Sequence, residues 1–220
     1  QSYTYDHFGN KDKVTDWQGN VTDYDFDVRG RLLKEVKAFG TDEAQTSEYT
    51  WHPVFPLLLK KTTDNLIAEF SYDDNNRVTE KKVTSRATGE VRTWSYQYTL
   101  HDSGVVKELR EDSPLLGSDD VTVSTFDEKG NLLSKTNAFG HAIQFGDYDA
   151  FGNPEYQLDI NGIKTKFKYD EAGRLIESKE LSSGKKITKF KYNALGQVTE
   201  TESPITGVTT YSYDDAYRNT

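Results

Sequence analysis

Several runs in this chain contain residue types that do chemistry. His101-Asp102-Ser103-Gly104 holds the base, acid and nucleophile of a hydrolytic triad within four positions. A triad works because its members converge from separate places in the fold, whereas adjacent residues on one strand or turn point apart, so the run reads as a turn. The acidic pairs Asp73/Asp74, Asp119/Asp120 and Asp214/Asp215 offer oxygen ligands of the kind Ca²⁺ takes. None sits in an EF-hand or a Gly-rich calcium-binding nonapeptide, and turn chemistry with solvated charge accounts for them. His7, His52, His101 and His141 stand singly, without ligand spacing. No catalytic residue, metal or cofactor is expected.

Aromatic and basic side chains give two further candidates. Trp17, Trp51 and Trp94, with the many tyrosines, supply flat faces on which sugars stack. Trp94, in line with Tyr96 and Tyr98, reads as part of a buried stripe. Trp17, in the turn Asp16-Trp17-Gln18-Gly19, is the candidate carbohydrate-binding residue. Lys164, Lys166 and Lys168 read as a solvated strand face that protects a sheet from association.

The elements that position these residues come from a repeat. An aromatic residue, then Asp, then Gly three residues later recurs about every 22 residues, and such a period signals an array rather than a globule with one active site. Tyr169-Asp170-Glu171-Ala172-Gly173-Arg174 is the cleanest copy. Close matches are Tyr5-Asp6 with Gly9, Phe26-Asp27 with Gly30, Phe126-Asp127 with Gly130, and Tyr148-Asp149 with Gly152. Tyr72-Asp73, Tyr192 with Gly196, and Tyr213-Asp214 are degenerate copies, as are Tyr49 and Leu100, where Thr50 and His101 replace Asp. Asp at the first position accepts backbone N–H groups, and the Gly supplies the positive φ of a type I turn with a bulge.

A second turn falls midway through most repeats, at Gly19, Gly40, Gly89, Gly140, Gly162, Gly184 and Gly207. The stretches between alternate with period 2, as in Ile163 to Tyr169, and none keeps a helical period over a useful length. The chain is therefore expected to be all-β: an antiparallel meander of hairpins forming a curved, spiral-type open sheet. Residues 1–220 read as one array, irregular between 72 and 126. The prolines between His52 and Leu59 suit a loop or an edge.

Composition agrees. Charged residues make up 29%, hydrophobic residues 34%, and mean hydropathy is -0.80, yet 14 Tyr, 11 Phe and 3 Trp are far more aromatics than a disordered chain carries. One buried and one wet face would fit this balance. A net charge of -9 argues against nucleic-acid binding. Cysteine is absent, which excludes disulfides and thiolate metal sites. No signal peptide is visible, and the longest apolar stretch, Val54 to Leu59, is too short to enter a membrane as a spanning helix. The lack of Met, even at position 1, suggests a segment of something longer.

The Tyr-Asp-x-x-Gly-Arg/Asn-Leu pattern resembles the YD repeat, or RHS repeat, over the whole chain from Tyr5 to Tyr213-Asp214-Asp215-Ala216-Tyr217-Arg218. That family includes bacterial Rhs proteins, the B and C subunits of insecticidal toxin complexes, wall-associated toxins and animal teneurins. The resemblance implies a spiral β-sheet wound into a hollow shell that encloses a C-terminal toxin. It implies a non-enzymatic structural segment, secreted or at the bacterial cell surface, with the rest of the parent shell and an enclosed polypeptide as partners. Toxin-bearing members carry an autoproteolytic aspartate motif and a toxin after the shell, and neither is found in this sequence. The alternative is an extracellular carbohydrate-binding or adhesion module, with surface glycans as partners.

Overall fold

A computed structural model describes residues 1–115, 120–182 and 186–219. Of the residues singled out above, Asp119 and Gly184 lie outside this range. The chain divides into two compact units, residues 1–97 with 111–118, and residues 98–110 with 119–220. No helix occurs among the described residues. The strands are β1 (Ser2–Tyr5), β2 (Lys11–Thr15), β3 (Val21–Phe26), β4 (Leu32–Lys37), β5 (Gln45–Trp51), β6 (Leu58–Thr63), β7 (Leu66–Tyr72), β8 (Val78–Ser85), β9 (Val91–Leu100) and β10 (Val106–Asp112). They continue as β11 (Thr122–Phe126), β12 (Leu132–Thr136), β13 (Ala142–Tyr148), β14 (Pro154–Leu158), β15 (Lys164–Tyr169), β16 (Leu175–Glu180), β17 (Ile187–Tyr192), β18 (Val198–Ser203) and β19 (Gly207–Thr210).

The all-β meander expected from the sequence is the observed architecture. In the first unit each strand from β1 to β9 pairs antiparallel with the next in sequence. In the second the same rule runs from β11 to β19. Two-residue alternation sorts the side chains: along β15, Thr165, Phe167 and Tyr169 are half-buried while Lys166 and Lys168 are exposed. Lys164 departs from the solvated reading. It is half-buried, with its ammonium 3.5 Å from the centre of the Tyr156 ring.

Two expectations need correction. The first is the anchor at Tyr49. The pairing of β5 with β6 shifts register between Thr50 and Trp51, and Trp51 sits opposite Leu58. Other anchors show the same shift immediately before them, as at Thr4/Tyr5, Asp25/Phe26 and Lys168/Tyr169. Trp51 is thus the anchor, and Tyr49 stands two residues ahead of it on the same face, as Tyr24 does for Phe26.

The second correction concerns burial. No face of the sheet is a core: Val36 and Val121 are the only buried apolar side chains among the described residues, and no polar side chain is buried. Within each unit the meander is one layer of strands with no second layer of its own to bury its faces, so the aromatics rest half-covered by their cross-strand neighbours.

Candidate functional site

The repeated anchor turn is the most elaborated chemistry in the molecule. In the copy at Asp170, the backbone closes twice: Asp170 N–H donates to the Arg174 carbonyl at 2.9 Å, and Gly173 N–H to the Asp170 carbonyl at 2.9 Å. Gly173 has φ 76°, the left-handed region where a side chain is strained. Asp170 Oδ1 accepts the N–H groups of Ala172 and Arg174, and its Oδ2 accepts from Arg174 Nε at 2.7 Å. The same contacts recur at Asp27 and Asp73 with Arg31 and Arg77, and at Asp6, Asp127 and Asp149 with Asn10, Asn131 and Asn153 supplying the amide. Asn76 and Tyr217, which stand where other copies have Gly, take the same left-handed conformation at φ 62°.

These bonds favour the charged carboxylate. The Arg174 guanidinium first, then the Arg174 amide, hold Asp170 below its ordinary range against an opposing desolvation, with the Ala172 amide adding to the lowering. Asp27 is lowered first by the Arg31 amide and Asp73 first by the Arg77 side chain. Asp6 and Asp127 are lowered first by the Asn10 and Asn131 side chains.

Sequence reasoning treated the anchors as interchangeable aromatics and missed what their polar ends do. Tyr169 OH donates to the Pro154 carbonyl at 3.0 Å, Tyr192 OH to Leu175 at 2.7 Å, Tyr213 OH to Val198 at 2.8 Å, and Tyr72 OH to Leu58 at 2.7 Å. Tyr148 OH donates likewise to the Leu132 carbonyl. Trp51 reproduces the bond with its indole Nε1–H, 2.7 Å from the Leu32 carbonyl. Each acceptor is the residue paired with the preceding anchor: Leu32 faces Phe26, Pro154 faces Tyr148, and Leu175 faces Tyr169. These Tyr and Trp anchors therefore clasp their own repeats to the ones before, a bond that the Phe26 and Phe126 anchors have no group to make. Burial raises the phenols of Tyr72, Tyr148 and Tyr169 above the ordinary value. The available signal was the frequency of Tyr over Phe at these positions.

Arginine clasps forward. Arg174 stacks 4.8 Å over the Tyr192 ring and donates to the Asn193 carbonyl at 3.3 Å. Arg31 lies 5.8 Å over Trp51 and donates to the His52 carbonyl at 2.8 Å.

His101 closes a turn by backbone bonds to Val105 and Gly104, and its Nε2 lies 2.9 Å from the Phe126 carbonyl oxygen. Asp102 and Ser103 are exposed on that turn. Asp73 and Asp214 cap their turns, while Asp74 and Asp215 beside them are exposed. His7 packs on Phe8, His52 on Phe55 and His141 near Phe139. No group of three or more potential metal ligands occurs among the described residues. Trp94 is half-buried with Lys81 over its ring at 4.6 Å, and Trp17 is 86% exposed at the tip between β2 and β3.

Residues 57–220, most of the chain, match the family described as Teneurin YD-shell. The chain belongs to that family. Its YD-shell repeats are also similar, at 27% identity over 207 residues, to the tRNA3(Ser)-specific nuclease WapA of Bacillus spizizenii, covering 77% of this chain and 8% of that protein. The tRNA nuclease WapA of Bacillus subtilis is 25% identical over 202 residues, with the same coverage. Among solved structures, TcdB2-TccC3 without its hypervariable C-terminal region matches with a TM-score of 0.69 at 14% identity, covering 99% of this chain and 12% of that one. That likeness concerns the fold. The chain thus spans about a tenth or less of the proteins it matches, and no described helix is long and apolar enough to cross a membrane.

Proposed function

We propose that this YD-shell segment is a non-catalytic stretch of wall in an Rhs-type shell that encloses a toxin or effector polypeptide. Its partners are the rest of the shell and the enclosed chain, in a bacterial secreted or cell-surface protein. One observation carries the reading: the polar ends of the Trp51, Tyr72, Tyr148, Tyr169, Tyr192 and Tyr213 anchors fasten their repeats to the ones before, while the side chains on both sheet faces stay at most half-buried apart from Val36 and Val121 among the described residues. A wall needs strong joints along its length and free faces on both sides.

Two experiments test this. The 220-residue chain incubated with tRNA should give no cleavage; turnover abolished by His101→Ala would overturn the non-catalytic reading. In the full-length parent, the polypeptide after the shell should resist protease. Replacing Tyr148, Tyr169 and Tyr192 together by Phe should make it sensitive, and a polypeptide equally exposed in the wild type would end the enclosure reading.

Trp17, 86% exposed, supports a second reading as a glycan-binding module. A glycan array probed with wild type and Trp17→Ala separates the two, since loss of a signal in the variant favours adhesion.

A further inference from the structure

We propose that Lys166 and Lys179, on the charged face of the second unit, form a site for one tetrahedral oxyanion, the sulfate or phosphate group of a free ion or of an ester. The proposal is independent of the shell reading. On this face Lys168 reaches Glu177 at 3.0 Å, Lys189 reaches Glu202 at 3.0 Å and Lys191 reaches Glu200 at 2.9 Å, while Lys164 lies over the Tyr156 ring. Lys166 breaks that pattern. It stands directly opposite Lys179 on one side and Tyr156 on the other. Neither ammonium has a carboxylate within ion-pair distance among the described residues, and like charges directly opposite one another are unfavourable. A local rule broken without structural gain marks a functional position.

The space beside the pair is built. A depression of about 400 Å³ is lined by both lysines, Lys164 and Tyr156. Tyr156 lies flat across its cross-strand partner Gly146, so that a Cβ added there would come within 2.5 to 2.8 Å of the phenol. A larger residue at 146 would lift the ring into the depression. The Lys164 ammonium, 3.5 Å from the ring centre, fixes the phenol from above. Asp147, Glu155 and Glu177 also border the space, against Lys164, Lys166, Lys168 and Lys179. This near balance suits a single compact anion and disfavours a polyanion. Two ammonium groups act as compact point charges with freely rotating donors, which can meet the oxygens of a tetrahedral anion without a fixed planar geometry.

The test is a side-chain NMR titration of the chain with inorganic sulfate and, separately, a sulfated disaccharide. Lys166 and Lys179 should shift saturably at roughly millimolar ligand. Lys166→Gln or Lys179→Gln should weaken binding about tenfold, the loss of one charge-assisted hydrogen bond, while Lys189→Gln leaves it unchanged. Gly146→Ala should also weaken it, although both ammonium groups remain. Tighter binding of the disaccharide identifies an ester as the source, and equal binding a free ion. Shifts that grow linearly for both probes, or that persist in both Gln variants, would overturn the site.

Discussion

The turns after Tyr169 and after Trp51 solve one problem with different residues. At Tyr169 the turn opens with Asp170, whose carboxylate accepts the N–H groups of Ala172 and Arg174. At Trp51 it opens with His52, whose Nδ1 faces the N–H groups of Val54 at 3.2 Å and Phe55 at 3.0 Å. The regular turn closes from Asp170 N to Arg174 O; the irregular one is a residue longer, from His52 N to Leu57 O, and contains Pro53. Arg29 and Arg31 stiffen it by donating to the carbonyls of Pro53, Val54, His52 and Phe55. Both anchors nevertheless donate to the preceding repeat, and Trp51 also receives Arg31 from it, as Tyr192 receives Arg174, whereas the repeat before Tyr169 carries Asn153 at the arginine position. The anchor's donor bond to the preceding repeat is what these two regions share, while the turn beneath it varies.

Acid should weaken the regular turns together. Their aspartates have folded pKa values lowered by backbone amides and by Asn or Arg side chains. A lowered folded value contributes stability above the unfolded pKa, and that contribution is lost as pH falls through the folded one. Stability followed by circular dichroism should therefore hold near neutrality and decline as pH falls below about 4. The raised phenols of Tyr72, Tyr148 and Tyr169 have the opposite sign: their contribution is intact below their unfolded value and fades as pH rises past about 10. In Asp170→Asn the acid loss should shrink, because an amide oxygen still accepts but no longer titrates. An unchanged acid profile in that variant would remove Asp170 from the account.

Next in size is Trp51→Ala. It deletes a half-buried indole, the bond to Leu32 and the surface under Arg31 together, and should cost about 3 kcal/mol in urea unfolding. Trp51→Phe keeps most of the packing and loses the donor, so about 1 kcal/mol is expected. Tyr169→Phe makes the matching change in the regular repeat, leaving the Pro154 carbonyl without its hydroxyl, and should also cost about 1 kcal/mol. Equal losses would support one joint in two guises. A silent Trp51→Phe would mean that the irregular repeat is held by packing and by the arginines alone.

The same pair shows what the sequence could and could not disclose. Turn chemistry is local: Asp170 and Gly173 sit within one short loop whose φ and N–H demands only certain residues meet, so period, strand alternation and fold class were readable. Trp51 was hidden because His52 replaced Asp and an extra residue displaced the closure, which made Tyr49 the better match by spacing. The clasps were hidden because Tyr169 and Pro154 belong to different repeats, and register across repeats emerges only when strands are laid side by side. Burial was misjudged for a related reason: alternation in β15 announces two faces, but says nothing about whether another layer covers either.

Trp17 supplies the control for Trp51, and the smallest effect. Its turn is chemically regular, with Asp16 Oδ1 accepting the N–H groups of Gln18 and Asn20 and Gly19 at φ 89°. Yet Trp17 follows the capping Asp instead of preceding it, so its side chain points from the tip and is 86% exposed. Position relative to the Asp, rather than residue type, decides whether an indole becomes a joint or a free surface. Trp17→Ala should change stability by less than about 0.5 kcal/mol, measured in the same urea series as Trp51→Ala. A loss approaching that of Trp51→Ala would mean that Trp17 packs against something in solution, and the division between clasping and free aromatics would fail at its clearest instance.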